Sequence, residues 1–369
     1  MKQTKQNSRT ATRRRPYAAA YVNATTFVPV VVPLKLPRLR LPFDKHEWRS
    51  AVNELCAPPN QVFLSDELEI RRSSVTELKG AESNKFRITH RIGYVAGMKP
   101  LWEVVIIAYS AQAKLKKFCV ERRYSNQELN DIHEQLVAEA FARRIRRWLV
   151  ASLLARTGIL RFSDILVTSN DKLWRRDEDF HGLCFEHLEV AQKMKWPPIQ
   201  ALSIVLVWKW LQKVPGFNND FGVTEVGRAL AAFTHLLRRR HPTAVGEVLL
   251  WALFGLEALY TRGTSELGAQ LSVKTQLLLG EQQEFKKVIT RMYSYRSRLT
   301  HGDVPIPMHY CEYDGLAEYE SFLTEVEDQN YVAANVLLSS LQALVLRNAT
   351  ELKFQWRIVD GPPNSVLIR

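Results

Sequence analysis

Val248-Leu-Leu-Trp-Ala-Leu-Phe-Gly-Leu-Glu-Ala-Leu-Tyr260 is apolar nearly all the way round a helical wheel, and Glu257 is its only carboxylate. A helix without a polar face has to lie among other helices, so this run predicts the interior of a helical bundle. A carboxylate buried there without a partner costs several kcal/mol or is forced neutral. The span holds no arginine, so a partner has to come from another helix, and Arg296 is the candidate. The alternative is that Glu257 reaches the surface.

Outward from this run, the chain from about residue 223 predicts helices at 224–240, 243–262, 265–279, 283–301, about 314–327 and 329–349. Breakers fall between them, at His241-Pro242, Gly263, Gly280 and Gly302 to Pro307. Helices of similar length on short loops make an antiparallel bundle. Upstream, between about 60 and 125, short stretches alternate in the manner of strands: Val62 to Leu64, Leu68 to Arg72, Phe86 to Tyr94 and Leu101 to Tyr109. Glu128 to Ala155 reads as a long helix, and 160–220 as helices and loops packing onto the final domain. The fold class expected is therefore α+β, with an N-terminal β-containing domain followed by a C-terminal helical bundle. The divisions are a basic flexible arm at 1–45, an α+β region at 46–220, the bundle at 221–350 and a tail at 351–369.

Composition narrows the class. At 46% hydrophobic and 24% charged, the 369 residues match a globular chain long enough for more than one core. Cys56, Cys119, Cys184 and Cys311 stand far apart with no C-x-x-C pair. That argues against a disulfide framework or a structural zinc site and suits a reducing cytoplasm. His181-x2-Cys184-x2-His187 offers ligand types without a second half, so neither metal nor cofactor is expected. No window approaches the ~18 apolar residues of a membrane span, so no membrane partner is expected and a cytoplasmic location is. The net charge of +13 is concentrated: the first 50 residues carry eleven Lys and Arg against Asp44 and Glu47. Such an arm attracts nucleic acid by neutralising phosphates, or serves as a solubilising tail or an organelle leader. Arg143, Arg144, Arg146 and Arg147 beside Trp148 are either an RNA contact or the solvated flank of a helix.

The chemistry-bearing stretch is Tyr293-Ser-Tyr-Arg-Ser-Arg-Leu-Thr-His-Gly302. Histidine moves a proton near neutral pH, and arginine grips a phosphate with a planar, permanently charged fork. Gly302, Pro305 and Pro307 end the helix, leaving His301 in the last turn. Arg296 and His301 lie about 140° apart on a regular helix. They share a pocket only if the last turn loosens or if two chains contribute. Tyr293, Ser297 and His301, spaced by four, do share a face. As a bare pattern R-x4-H is unspecific: Arg176 to His181 fits it with Asp177, Glu178 and Asp179 inside, and Arg228 to His235 fits a looser version. Both read as surface.

Taken together, the Leu256-Glu-Ala-Leu259 helix, the run Leu271-Ser-Val-Lys-Thr-Gln-Leu-Leu-Leu-Gly280 and the motif at Tyr293, Arg296, Ser297, Leu299, His301 and Gly302 resemble the ApeA-like branch of the HEPN superfamily. The resemblance covers about 225–349. It implies a metal-independent endoribonuclease, often a toxin or antiviral effector, in which two protomers bring their Arg/His motifs together. Carried onto this chain, Arg296, His301 and Glu257 are the catalytic candidates, with Tyr293, Ser297 and Tyr295 in support. The partners it implies are RNA, a second copy of the chain and a possible regulatory partner or antitoxin. The rival expectation is a non-catalytic HEPN module that binds RNA or a protein.

Overall fold

The computed structural model describes residues 30–35, 45–55, 68–74, 103–110, 143, 146–162, 165–169, 172–177, 183, 185–238, 246–263, 265–281, 285–304 and 317–354. Its helices are α1 (Lys45–Leu55), α2 (residues 146–155), α3 (Phe185–Met194), α4 (Ile204–Leu211), α5 (Glu225–Leu236), α6 (Gly246–Tyr260), α7 (Leu267–Leu279), α8 (Phe285–His301) and α9 (Ala317–Leu346). One continuous core runs through them, from Ala51 in α1 to Leu352 after α9.

The expected α+β class is corrected by this arrangement. The part of the chain whose packing is described is helical, and no sheet takes part in it. Short backbone segments do pair as strands, as Val30–Lys35 and Leu68–Ser74 each do with Glu103–Ser110. Among the described residues whose burial is given, no N-terminal β domain is evident. Alternation in sequence reports a local extended preference, whereas a β domain also needs a packed apolar face. The dense apolar positions that do build the core, such as Trp148, Trp208 and Trp210, lie on helices. Val62 to Leu64 and Phe86 to Tyr94 fall outside the described residues, as do the arm before Val30 and the tail beyond Phe354.

At the centre of the bundle α6 meets two helices at Gly255. A Cβ there would lie 2.8 Å from a Leu337 methyl of α9 and 3.0 Å from the Ala232 Cβ of α5, so only glycine allows this approach. Leu249, Leu253, Leu256 and Leu259 bury the rest of that side. The sequence splits the last helical stretch near residue 328; the structure carries α9 through without a break, consistent with the absence of Gly and Pro between Glu318 and Leu346. Two of its buried polar side chains, Ser340 and Gln342, hydrogen-bond across the core. Tyr260 and Ser340 share a hydrogen bond of 2.7 Å. Gln342 donates to the Leu154 and Gln200 carbonyls at 2.9 and 3.0 Å and accepts from the Gln200 N–H at 3.1 Å.

The N-terminal helix is tied on by charge and caps. Glu54 of α1 accepts from the Ser203 hydroxyl at 2.5 Å, the Ile204 N–H at 2.7 Å and Arg156 at 3.0 Å. It thereby supplies an acceptor to the open N–H groups at the start of α4. The Trp148 indole donates to the Leu55 carbonyl at 3.0 Å. Thr224 caps α5 through the Gly227 N–H at 3.0 Å. Arg147, one of the clustered arginines, holds Asp220 with both arms of its fork, at 2.7 and 2.8 Å, so it serves the fold.

Candidate functional site

Helix α8 is amphipathic, and its buried stripe of Ile289, Met292, Tyr295 and Leu299 fixes which residues face outward. It ends as Gly302 predicts. Gly302 takes φ +81° and the Asp303 N–H reaches back to the Arg298 carbonyl at 2.8 Å, the hydrogen bond of a Schellman motif. Val304 then buries against the body. His301 is the last helical residue.

Glu257 of α6 and Arg296 of α8 meet, Oε1 to Nη1, at 3.5 Å. The same Oε1 accepts a hydrogen bond from the Tyr293 hydroxyl at 3.0 Å. Glu257 is 19% exposed and Arg296 37%, so the glutamate is largely covered and the arginine is the more open of the two. The arginine contact is longer than the ~2.7–2.9 Å of a tight charged hydrogen bond and engages one nitrogen. The fork keeps donors for another anion. Burial, then the Glu257 charge and the hydrogen bond to it, push the Tyr293 phenol well above its ordinary value, with Arg296 opposing. Tyr293 therefore stays protonated and acts as donor. Its ring lies across Gly268 of α7, 3.7 Å from where a Cβ would stand.

His301 is exposed and sits about 140° from Arg296 around α8. The last turn does not loosen: α8 is α-helical through His301, and the Thr300 hydroxyl donates back to the Arg296 carbonyl at 3.0 Å. Tyr293 and the exposed Ser297 fill the face between them. Arg296 and His301 thus mark the two edges of one outward side of α8, and one chain does not bring them into a common pocket. Tyr295 is not brought to this side either. It is buried between α8 and α9, its hydroxyl without a partner among the described residues, and the Arg298 guanidinium lies 5.9 Å from its ring centre.

Sequence reasoning missed one neighbour of the site. Helix α6 is not covered all round: Leu250 is 37% and Phe254 50% exposed. Trp251 stacks on His235 of α5, centroids 3.7 Å apart and planes within 3°. Residues 250, 254 and 257 follow the i, i+4, i+7 spacing of a single helix face, with Trp251 at its edge; high mean hydropathy concealed it. Arg228, at the far end of the loose Arg228–His235 match, donates to the Val223 carbonyl at 3.3 Å. Among the described residues no group of three or more His, Cys, Asp or Glu could hold a metal ion. His181 and Cys184 lie outside the described residues.

No protein-family model, curated protein or solved structure matches this chain. Among the described residues no helix is long and apolar enough to cross a membrane.

Proposed function

We propose that the chain is a HEPN-type, metal-independent endoribonuclease whose site is completed by a second copy of itself. The observation that carries this is the half-open guanidinium of Arg296, steadied from the core side by Glu257 and next to Tyr293, on the helix that ends in exposed His301. The motif around it supports the same reading. RNA carries its own nucleophile, so a base, an acid and a positive charge on the phosphorane suffice. One His301 takes the proton from the 2′-hydroxyl as its oxygen attacks phosphorus. The other copy's His301 protonates the departing 5′-oxygen, and Arg296 holds the pentavalent phosphate. The products are a 2′,3′-cyclic phosphate and a 5′-hydroxyl. The two motif residues lie about 140° apart in one chain, which favours drawing the pair of histidines from two copies. The basic arm adds sequence-blind attraction to phosphates, and a cytoplasmic toxin or antiviral effector fits such an activity.

The same separation favours the second reading, a non-catalytic HEPN module that binds RNA or a protein, should the chain act alone. A time course on total RNA in EDTA, with His301→Ala beside the intact protein, divides the two. Fragments with 2′,3′-cyclic phosphate ends from the intact protein alone are expected. Equal cleavage by His301→Ala, or dependence on a divalent ion, overturns the nuclease proposal.

A further inference from the structure

The solvent side of α6 is aromatic where a surface helix is ordinarily polar. Phe254, 50% exposed, meets half-buried Trp251 edge-on at a centroid distance of 6.0 Å. Trp251 is itself held flat by its stack on His235, at 3.7 Å and 3°. Phe254 precedes Glu257 by three residues, a rise of ~4.5 Å along the helix, and Glu257 contacts Arg296. An exposed aromatic ring therefore lies on the same side of α6 as Glu257, the carboxylate that contacts the guanidinium assigned above to the scissile phosphate.

Area decides what covers this face. Leu250, Trp251 and Phe254 together offer on the order of 250 Å², whereas a stable protein interface takes ~800 Å² from each partner. A single base needs one flat ring beside a cation for its phosphate, which is what this face provides. We infer that Phe254, backed by Trp251, forms a stacking site for an unpaired base next to the scissile phosphate. The inference rests on the RNA-cleaving reading of Arg296. In a duplex both faces of each base are already covered by their neighbours, so the platform discriminates against paired RNA.

The test uses the full chain carrying His301→Ala, so that RNA survives, and a fluorescein-labelled single strand of about 12 nucleotides beside its duplex. Anisotropy gives both affinities with and without a further Phe254→Ala or Phe254→Tyr change. Phe254 is half-exposed, so its loss leaves the core intact. The expected result is about tenfold weaker single-strand binding for Phe254→Ala, recovery with tyrosine, and an unchanged duplex affinity. Equal loss on strand and duplex overturns the platform. So does a shift in self-association, measured by sedimentation, with RNA affinity unchanged: the face is then a contact between copies. If wild type cleaves RNA while Phe254→Ala binds it unchanged, the platform fails and the nuclease stands. If wild type neither binds nor cleaves RNA, the nuclease reading falls and the platform with it.

Discussion

The pattern Tyr-x-x-Arg occurs twice along α8, and its two copies face different neighbours. Tyr293 and Arg296 turn toward α6 and meet Glu257; Tyr295 and Arg298 turn toward α9 and meet Glu325. In the second copy the ion pair is short, 2.7 Å between Arg298 and Glu325, and the tyrosine hydroxyl has no described partner. In the first the tyrosine makes the hydrogen bond, and the arginine stands off at 3.5 Å. The difference follows from who reaches the carboxylate. Where Tyr293 donates to Glu257, the guanidinium is steadied without being saturated. Where Tyr295 is buried below, Arg298 closes directly on Glu325. One copy joins two helices, and the other presents a charge.

The largest effect that would break this contrast is catalytic. Arg296→Ala should lower the cleavage rate by about 10²–10³, the usual loss when a preorganised charge on the transition state is removed, and Arg298→Ala should leave it unchanged. Single-turnover rates on one RNA check both. Equal losses would mean that the two arginines share one role.

The tyrosines sharpen the contrast in stability. Tyr293→Phe removes a hydrogen bond to a largely covered carboxylate and should cost about 1 kcal/mol in urea unfolding. Tyr295→Phe removes a buried hydroxyl with no described partner, so stability should hold or rise.

Alkaline unfolding tests the same burial by another route. The Tyr295 phenol is pushed up from 10.0 to about 12 by burial and by the Glu325 charge, with Arg298 opposing. A group whose folded pKa lies above its unfolded one stabilises the fold below the unfolded value and loses that contribution as pH climbs through the folded one. Stability should therefore fall between pH 10.0 and about 12. Tyr295→Phe should flatten that fall, as read from urea midpoints across the range. The smallest effect belongs to Arg298→Ala itself: its pair with Glu325 is half-exposed on both sides, and such pairs contribute about 0–1 kcal/mol.

Much of the bundle was legible because its signals are local. Thr224 caps where a helix starts, and Gly263, Gly280 and Gly302 adopt positive φ where helices end. Glu257 announced a partner through its isolation in an apolar run, and Arg296 is there. Tyr293, the nearer partner, was legible only as a residue on the right face. The fold class was not legible, since alternating residues upstream gave strand signals that carried no information about packing. Nor was the open side of α6. The wheel of an apolar helix shows which residues are greasy, and leaves out how many neighbours the fold supplies to cover them. Tyr295 sits in the motif beside Arg296, yet the helical turn sends it to the core.

Whether two copies build one site can be read from a mixture. Wild-type protein and His301→Ala, allowed to exchange subunits at equal concentration, are assayed on RNA in EDTA. If each site draws a histidine from both copies, only wild-type pairs cleave, and about a quarter of the wild-type rate should remain by random pairing. About half would mean that each chain cleaves on its own, and the shared site would be contradicted.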